Sequence, residues 1–140
     1  MNWSLVDPGV IRPWLICETG SRWLSAVRRF GPDMLPADLI PKVESATRDE
    51  ILSGLSLSEP SIVLWEVGRD SLAAVCDSLA QSTAINPRGL QIVACHHLTD
   101  RERWCLTPFP LAAMVNHPED LPRLTPMIHL HFARWTQFID

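Results

Sequence analysis

The chain has 140 residues, 46% of them apolar and 20% charged, which describes one globular domain with a sizeable core and excludes a disordered chain. Its formal net charge is −4, its pI is near 5.7 and its basic residues are scattered, so a nucleic-acid partner, which asks for a basic stripe or a pI above about 9, is not expected. No apolar stretch approaches the roughly 20 residues that cross a bilayer, and Met1-Asn2-Trp3-Ser4 has no basic n-region before Asp7 and Pro8, so neither a membrane partner nor a signal peptide is expected, and the expected location is cytoplasmic.

Trp14-Leu15-Ile16-Cys17 is a short apolar run ending at Glu18 and then Thr19-Gly20, a first strand and its turn. From Ser21 to Phe30, Trp23, Leu24, Val27 and Phe30 recur at helical spacing, and Gly31-Pro32 is expected to stop that helix. Pro36 and Pro41 lead into Val43-Glu44-Ser45-Ala46, a weak second strand suited to a sheet edge. Thr47-Arg48-Asp49-Glu50 has the form of a capping box before Ile51, Leu52 and Leu55, which marks a second helix. Ser61 to Val67 reads Ser-Ile-Val-Leu-Trp-Glu-Val before Gly68, a β-branched run suited to a strand buried on both faces, with Glu66 near its carboxyl end.

A third helix, capped by Asp70 or Ser71, presents Leu72, Val75, Cys76, Leu79 and Ala80 on one face. Asn86-Pro87-Arg88-Gly89 is a turn, and Gln91 to Cys95 is a fourth strand running into His96-His97. Thr99-Asp100-Arg101-Glu102 is a second capping box, opening a short helix through Trp104 to Leu106 that Pro108 and Pro110 end. Leu111 to Val115 is a fifth strand. The last helix carries Leu121, Leu124, Ile128, Phe132 and Trp135 on one stripe; Pro126 either kinks it or marks its true start with Thr125 as cap. Five alternations of strand and helix with right-handed crossovers predict a three-layer α/β sandwich around a parallel sheet, and the edge-like second strand gives the order 2-1-3-4-5.

Five βα units in this length resemble the receiver domain of bacterial response regulators, and the likeness runs from Trp14 to Trp135. Asn116-His117-Pro118-Glu119-Asp120-Leu121 is similar to the receiver segment that joins the fifth strand to the last helix. The resemblance implies one flavodoxin-like, receiver-like domain over residues 1–140, with a core over about 14–137 and residues 1–13 as an N-terminal extension. It also implies a phosphorylation rim built from an acceptor aspartate after the third strand, two acids after the first for Mg²⁺, a hydroxyl after the fourth and a lysine after the fifth.

This chain departs from that pattern. Glu66 stands at the acceptor position, Glu18 alone where two acids belong, Cys95 or His96 in place of the hydroxyl, and Asn116 or His117 in place of the lysine. Lys42, the only lysine, precedes the second strand. Glutamate moves the nucleophilic oxygen by one methylene, and such misplacement costs about 10²-fold. Without a lysine the phosphoryl charge has no obvious clamp. The resemblance therefore implies a degenerate, or pseudo-, receiver: a non-catalytic signalling module with protein partners, arranged as a homodimer through its fourth and fifth helices. Glu66 is then a solvated structural acid or an imitation of part of a phosphorylated state, and no cofactor is expected.

The alternative is a small α/β enzyme or metal-binding protein using Cys95, His96, His97 and His117 at the carboxyl rim of the sheet. Against it, consecutive strand residues point to opposite faces, so His96 and His97 share a side only if the strand has already ended. Cys17, Cys76, Cys95 and Cys105 lack Cys-x-x-Cys spacing and are expected as free, packed thiols. Glu18-Thr19-Gly20-Ser21 has too little glycine for a nucleotide fingerprint. His129 and His131 sit two apart on the last helix and cannot pair as ligands, with His131 expected in solvent. Of the six tryptophans, Trp23 and Trp65 fit the core, Trp3 lies outside it, and Trp104 and Trp135 are candidate interface anchors.

Overall fold

The computed structural model describes residues 10–37, 39–54, 61–87, 89–111 and 113–136. Trp3 and most of the expected N-terminal extension lie outside them. Five strands form one parallel sheet of order β2-β1-β3-β4-β5: β1 (Val10–Cys17), β2 (Leu39–Ser45), β3 (Ile62–Val67), β4 (Leu90–Cys95) and β5 (Ala113–Val115). Between and after them run α1 (Arg22–Met34), α2 (Arg48–Gly54), α3 (Leu72–Ile85), α4 (Asp100–Trp104) and α5 (Thr125–Thr136). The expected layers and strand order are therefore those observed.

The alternation of side chains across the sheet divides the core in two. Ile16, Ile62, Leu64, Ile92 and Ala94 pack with Trp23, Ala26 and Val27 of α1 and with Ile128 and Phe132 of α5. Val63, Trp65, Val67, Val93 and Cys95 pack with Ile51 of α2, Val75 and Leu79 of α3, and Leu106. β3 sits at the centre and is buried on both faces, as its unbroken apolar run requires. One polar chain crosses the second layer: Trp65 Nε1 donates to Gln91 Oε1 at 2.8 Å, and Gln91 Nε2 donates to Ser82 Oγ at 2.8 Å. Those bonds make a buried glutamine tolerable in β4.

Several elements differ in extent from the sequence reading. β1 begins at Val10 and takes in part of the expected extension, because Val10 to Pro13 pair with Leu39 to Lys42 of β2. Pairing with β3 starts only at Trp14, so the missing N–H of Pro13 falls where β1 has a single neighbour, while Pro41 sits on the edge strand. α1 does not stop at Gly31-Pro32 but runs on to Met34, which buries Gly31 and Met34 beneath the sheet and leaves Pro32 inside the helix. α4 is shorter than expected and ends at Trp104, with turns carrying the chain to Leu106. Pro126 does not kink the last helix: a 3₁₀ segment covers Pro118–Leu124, and α5 starts at Thr125, whose hydroxyl donates to the Pro122 carbonyl instead of capping the helix. Ala80 is exposed, while His131 is buried beside Phe132, with ring centroids 5.0 Å apart, and does not face solvent.

Candidate functional site

The carboxyl ends of β1, β3, β4 and β5 form one rim. After β1, Glu18 turns back onto α1: its Oε1 accepts from the Trp23 amide at 3.0 Å and its Oε2 from the Leu24 amide at 2.7 Å. These are N-terminal amides with no intrahelical acceptor. Ser21, the residue at the cap position, makes no side-chain cap bond, so Glu18 does that work. The next residue, Thr19, holds Glu66: its hydroxyl donates to Glu66 Oε1 at 3.1 Å and its amide donates to the same oxygen at 3.3 Å. Both acids expected at the rim are present, each already engaged with the protein.

β4 ends at Cys95, and the His96 amide closes the ladder by donating to the Val67 carbonyl at 2.8 Å. His97 then has φ of 54°, the left-handed region that non-glycine residues enter at a cost. That turn removes the objection drawn from strand alternation. His96 and His97 are both exposed, their ring centroids are 4.3 Å apart, and both rings border the same two clefts. One cleft, about 640 Å³, is bordered by Thr19, Glu66, Gly68, Arg69, Asp70 and Ser71 together with the two histidines. The other, about 450 Å³, brings the same histidines together with Arg22, Cys95, Leu98, Arg103, Asn116 and His117.

The second cleft corrects an expectation. The rim does carry positive side chains, supplied by helices instead of by the lysine position after β5. A guanidinium amino group of Arg103 donates to Asn116 Oδ1, while Arg103 Nε is buried without a partner among the described residues. Arg22, the first residue of α1, lies 5.8 Å from the Trp23 ring. Neither arginine had a motif to betray it. The capping box at Thr99 fixes where α4 starts, and its two reciprocal bonds are in place, but which side of the helix meets β5 is decided by packing.

The thiol and metal readings gain little from this geometry. Burial pushes the Cys95 thiol up, with nearby Arg103 only partly opposing it. No hydrogen bond joins Cys95 to His117 among the described residues, although both border the same cleft. Burial, then the charges of Glu66 and Glu18, likewise push Cys17 up. All four cysteines are free, and among the described residues no three His, Cys, Asp or Glu side chains are placed to hold a metal ion together.

No family model matches the sequence, and no curated protein does. Solved structures do resemble it. A CheY-like response regulator from Mesorhizobium loti is 12% identical with a TM-score of 0.58, covering 84% of this chain and 98% of its own. TadZ, a CheY-like protein from Pseudomonas aeruginosa PAO1, is 11% identical with a TM-score of 0.63, covering 84% and 92%. The pilus assembly protein CpaE from Caulobacter crescentus CB15 is 15% identical with a TM-score of 0.59, covering 86% and 96%. The fold is that of a CheY-like receiver domain. At such identities the likeness speaks for the fold, and the chemistry rests on this chain's own residues.

In that receiver frame the end of β3 carries Glu66, held by Thr19, and the end of β5 carries Asn116, held by Arg103. Lys42 is far from this rim in the chain's layout: it pairs with Glu44 at 3.6 Å on the exposed edge strand β2. Of the candidate interface anchors, Trp104 is 71% exposed at the end of α4, beside a shallow depression shared with Asp100, Arg103, Thr107 and Met114. The Trp135 side chain lies outside the described ones.

Proposed function

We propose that this chain is a receiver-fold interaction module that does not carry out aspartyl phosphotransfer and signals by protein contact. One observation carries the reading: Glu18, the only acid directly after β1, uses both carboxylate oxygens to cap α1. Mg²⁺ keeps near-octahedral oxygen ligation and is usually held by one or two carboxylates together with phosphate oxygens and waters. Here Glu66 is one methylene too long and is tied to Thr19 through one oxygen, and Asp70, the other acid bordering its cleft, stands in the 3₁₀ turn after β3 and not at the end of β1. Arg22 and Arg103 border the cleft that Glu66 does not, and Arg69, which does border the Glu66 cleft, is paired with Glu102.

The exposed indole of Trp104 supports contact as the mode of action, since tryptophan is enriched among binding hot spots. The partner in this proposal is another protein, a second copy of the chain being the first candidate, in the cytoplasm of a bacterium. Among the fold neighbours, CpaE bears the name of a pilus assembly protein, in keeping with a receiver fold used in assembly. Incubation with acetyl phosphate and Mg²⁺, read by intact mass, is expected to leave the mass unchanged. A stoichiometric phosphoryl adduct on Glu66 or a neighbouring residue would overturn the proposal.

A further inference from the structure

The 450 Å³ cleft between β4, β5, α4 and the start of α1 gathers two guanidiniums, three imidazoles and the Asn116 amide, and no carboxylate borders it. The acids nearest in the chain are committed elsewhere. Glu18 caps α1, Glu66 accepts from Thr19, and Glu102 closes the α4 capping box while its Oε2 accepts from Arg69 Nε at 3.1 Å. Asp100 borders the depression beside Trp104, which Arg103 also lines, and makes no ion pair with it. Among the described residues neither Arg22 nor Arg103 takes part in an ion pair. The two guanidiniums thus stand in the cleft without a paired carboxylate, in a protein whose net charge is −4.

The set is also held in place. Asn116 pins one amino group of Arg103, and the left-handed turn at His97 brings consecutive imidazoles to the same opening. The buried Arg103 Nε has its donor unspent. A residue that keeps an unfavourable backbone conformation beside a cleft of ligand size points to a role for the cleft.

We propose that this cleft binds a phosphate group non-covalently, either as free phosphate or as the phosphate of a small phosphomonoester, with Arg22 and Arg103 as its principal donors and His96, His97, His117 and Asn116 around it. Guanidinium forks match phosphate oxygens and make short, charge-assisted bonds. The volume lies within the range of about 300–1,000 Å³ of small-molecule sites and leaves room beyond the phosphate itself. The site is independent of phosphotransfer: it needs no covalent step and does not use Glu66, so the acetyl phosphate experiment can fail or succeed without deciding it.

Isothermal titration of the full chain with inorganic phosphate, glucose 6-phosphate and glucose tests the proposal. At least one phosphate probe is expected to bind while glucose does not. Equal affinity for the two phosphate probes identifies free phosphate as the ligand, and tighter binding of glucose 6-phosphate identifies a phosphomonoester. R103Q and R22Q are each expected to weaken binding by about tenfold or more, and Arg22 is exposed, so R22Q reads the site even where R103Q disturbs folding. R28Q, on an exposed position of α1 outside the cleft, is expected to leave the affinity unchanged. Absence of binding by both phosphate probes, or an equal loss in R22Q and R28Q, would overturn the site.

Discussion

At the first turn of α1 the amides of Trp23 and Leu24 have no backbone acceptor, and the Glu18 carboxylate supplies both. A negative group there also meets the positive end of the helix dipole. E18A is therefore expected to lower unfolding stability in urea by about 1–2 kcal/mol without altering the folded spectrum; an unchanged midpoint would remove the capping role. The sequence places Glu18 at a degenerate rim but does not show its capping role, because a carboxylate three residues before a serine gives no sign that it, and not Ser21, will reach the amides. The cysteines can be ranked in the same terms. Cys105 is exposed, whereas burial raises Cys95 and Cys17 above the ordinary thiol value, so at any given pH they hold less thiolate, the reactive form. Iodoacetamide labelling followed by peptide mass analysis is expected to modify Cys105 first and Cys95 and Cys17 last. Preferential modification of Cys95 would revive the nucleophile reading.

Within elements, local chemistry proved legible and non-local pairing did not. The capping box at Thr47 and Glu50 forms with both reciprocal bonds, at 3.0 and 3.2 Å, and so does the one at Thr99, because each depends on residues three apart. The extents of β1 and β2 depend on each other across the sheet, and neither segment signals its partner in sequence. α1 overrides a Gly-Pro pair because one more turn buries Met34 and sets Gly31 against Trp14. A Cβ on Gly31 would meet Val27 at 3.6 Å and the Trp14 ring at 3.7 Å, ordinary contact distances, and the residue does not have positive φ. The added Cβ would, however, stand against the ring of Pro32, which disfavours helical geometry at the residue before it, so G31A is expected to destabilise the protein by about 1 kcal/mol. A gain of stability in urea unfolding would show that α1 carries its Gly-Pro pair without needing the glycine.

For the whole molecule, the alternation of strands and helices was enough to give the layers and the 2-1-3-4-5 order, since right-handed crossovers leave few arrangements. The rim was legible only where strand ends supply it, as with Glu66, His96 and Asn116. Its positive side, Arg22 and Arg103, comes from helices whose rotation about their own axes is set by packing, which no spacing records. The resulting molecule keeps the receiver frame while Glu18 and Glu66 serve the protein's own hydrogen bonds. A cation that bound the folded state alone would raise its melting temperature by mass action. Thermal unfolding in millimolar MgCl₂, against NaCl of equal ionic strength, is therefore the most direct measurement. The melting temperatures are expected to agree within about 1 °C; a saturable rise with Mg²⁺ that disappears in E66Q would contradict the account.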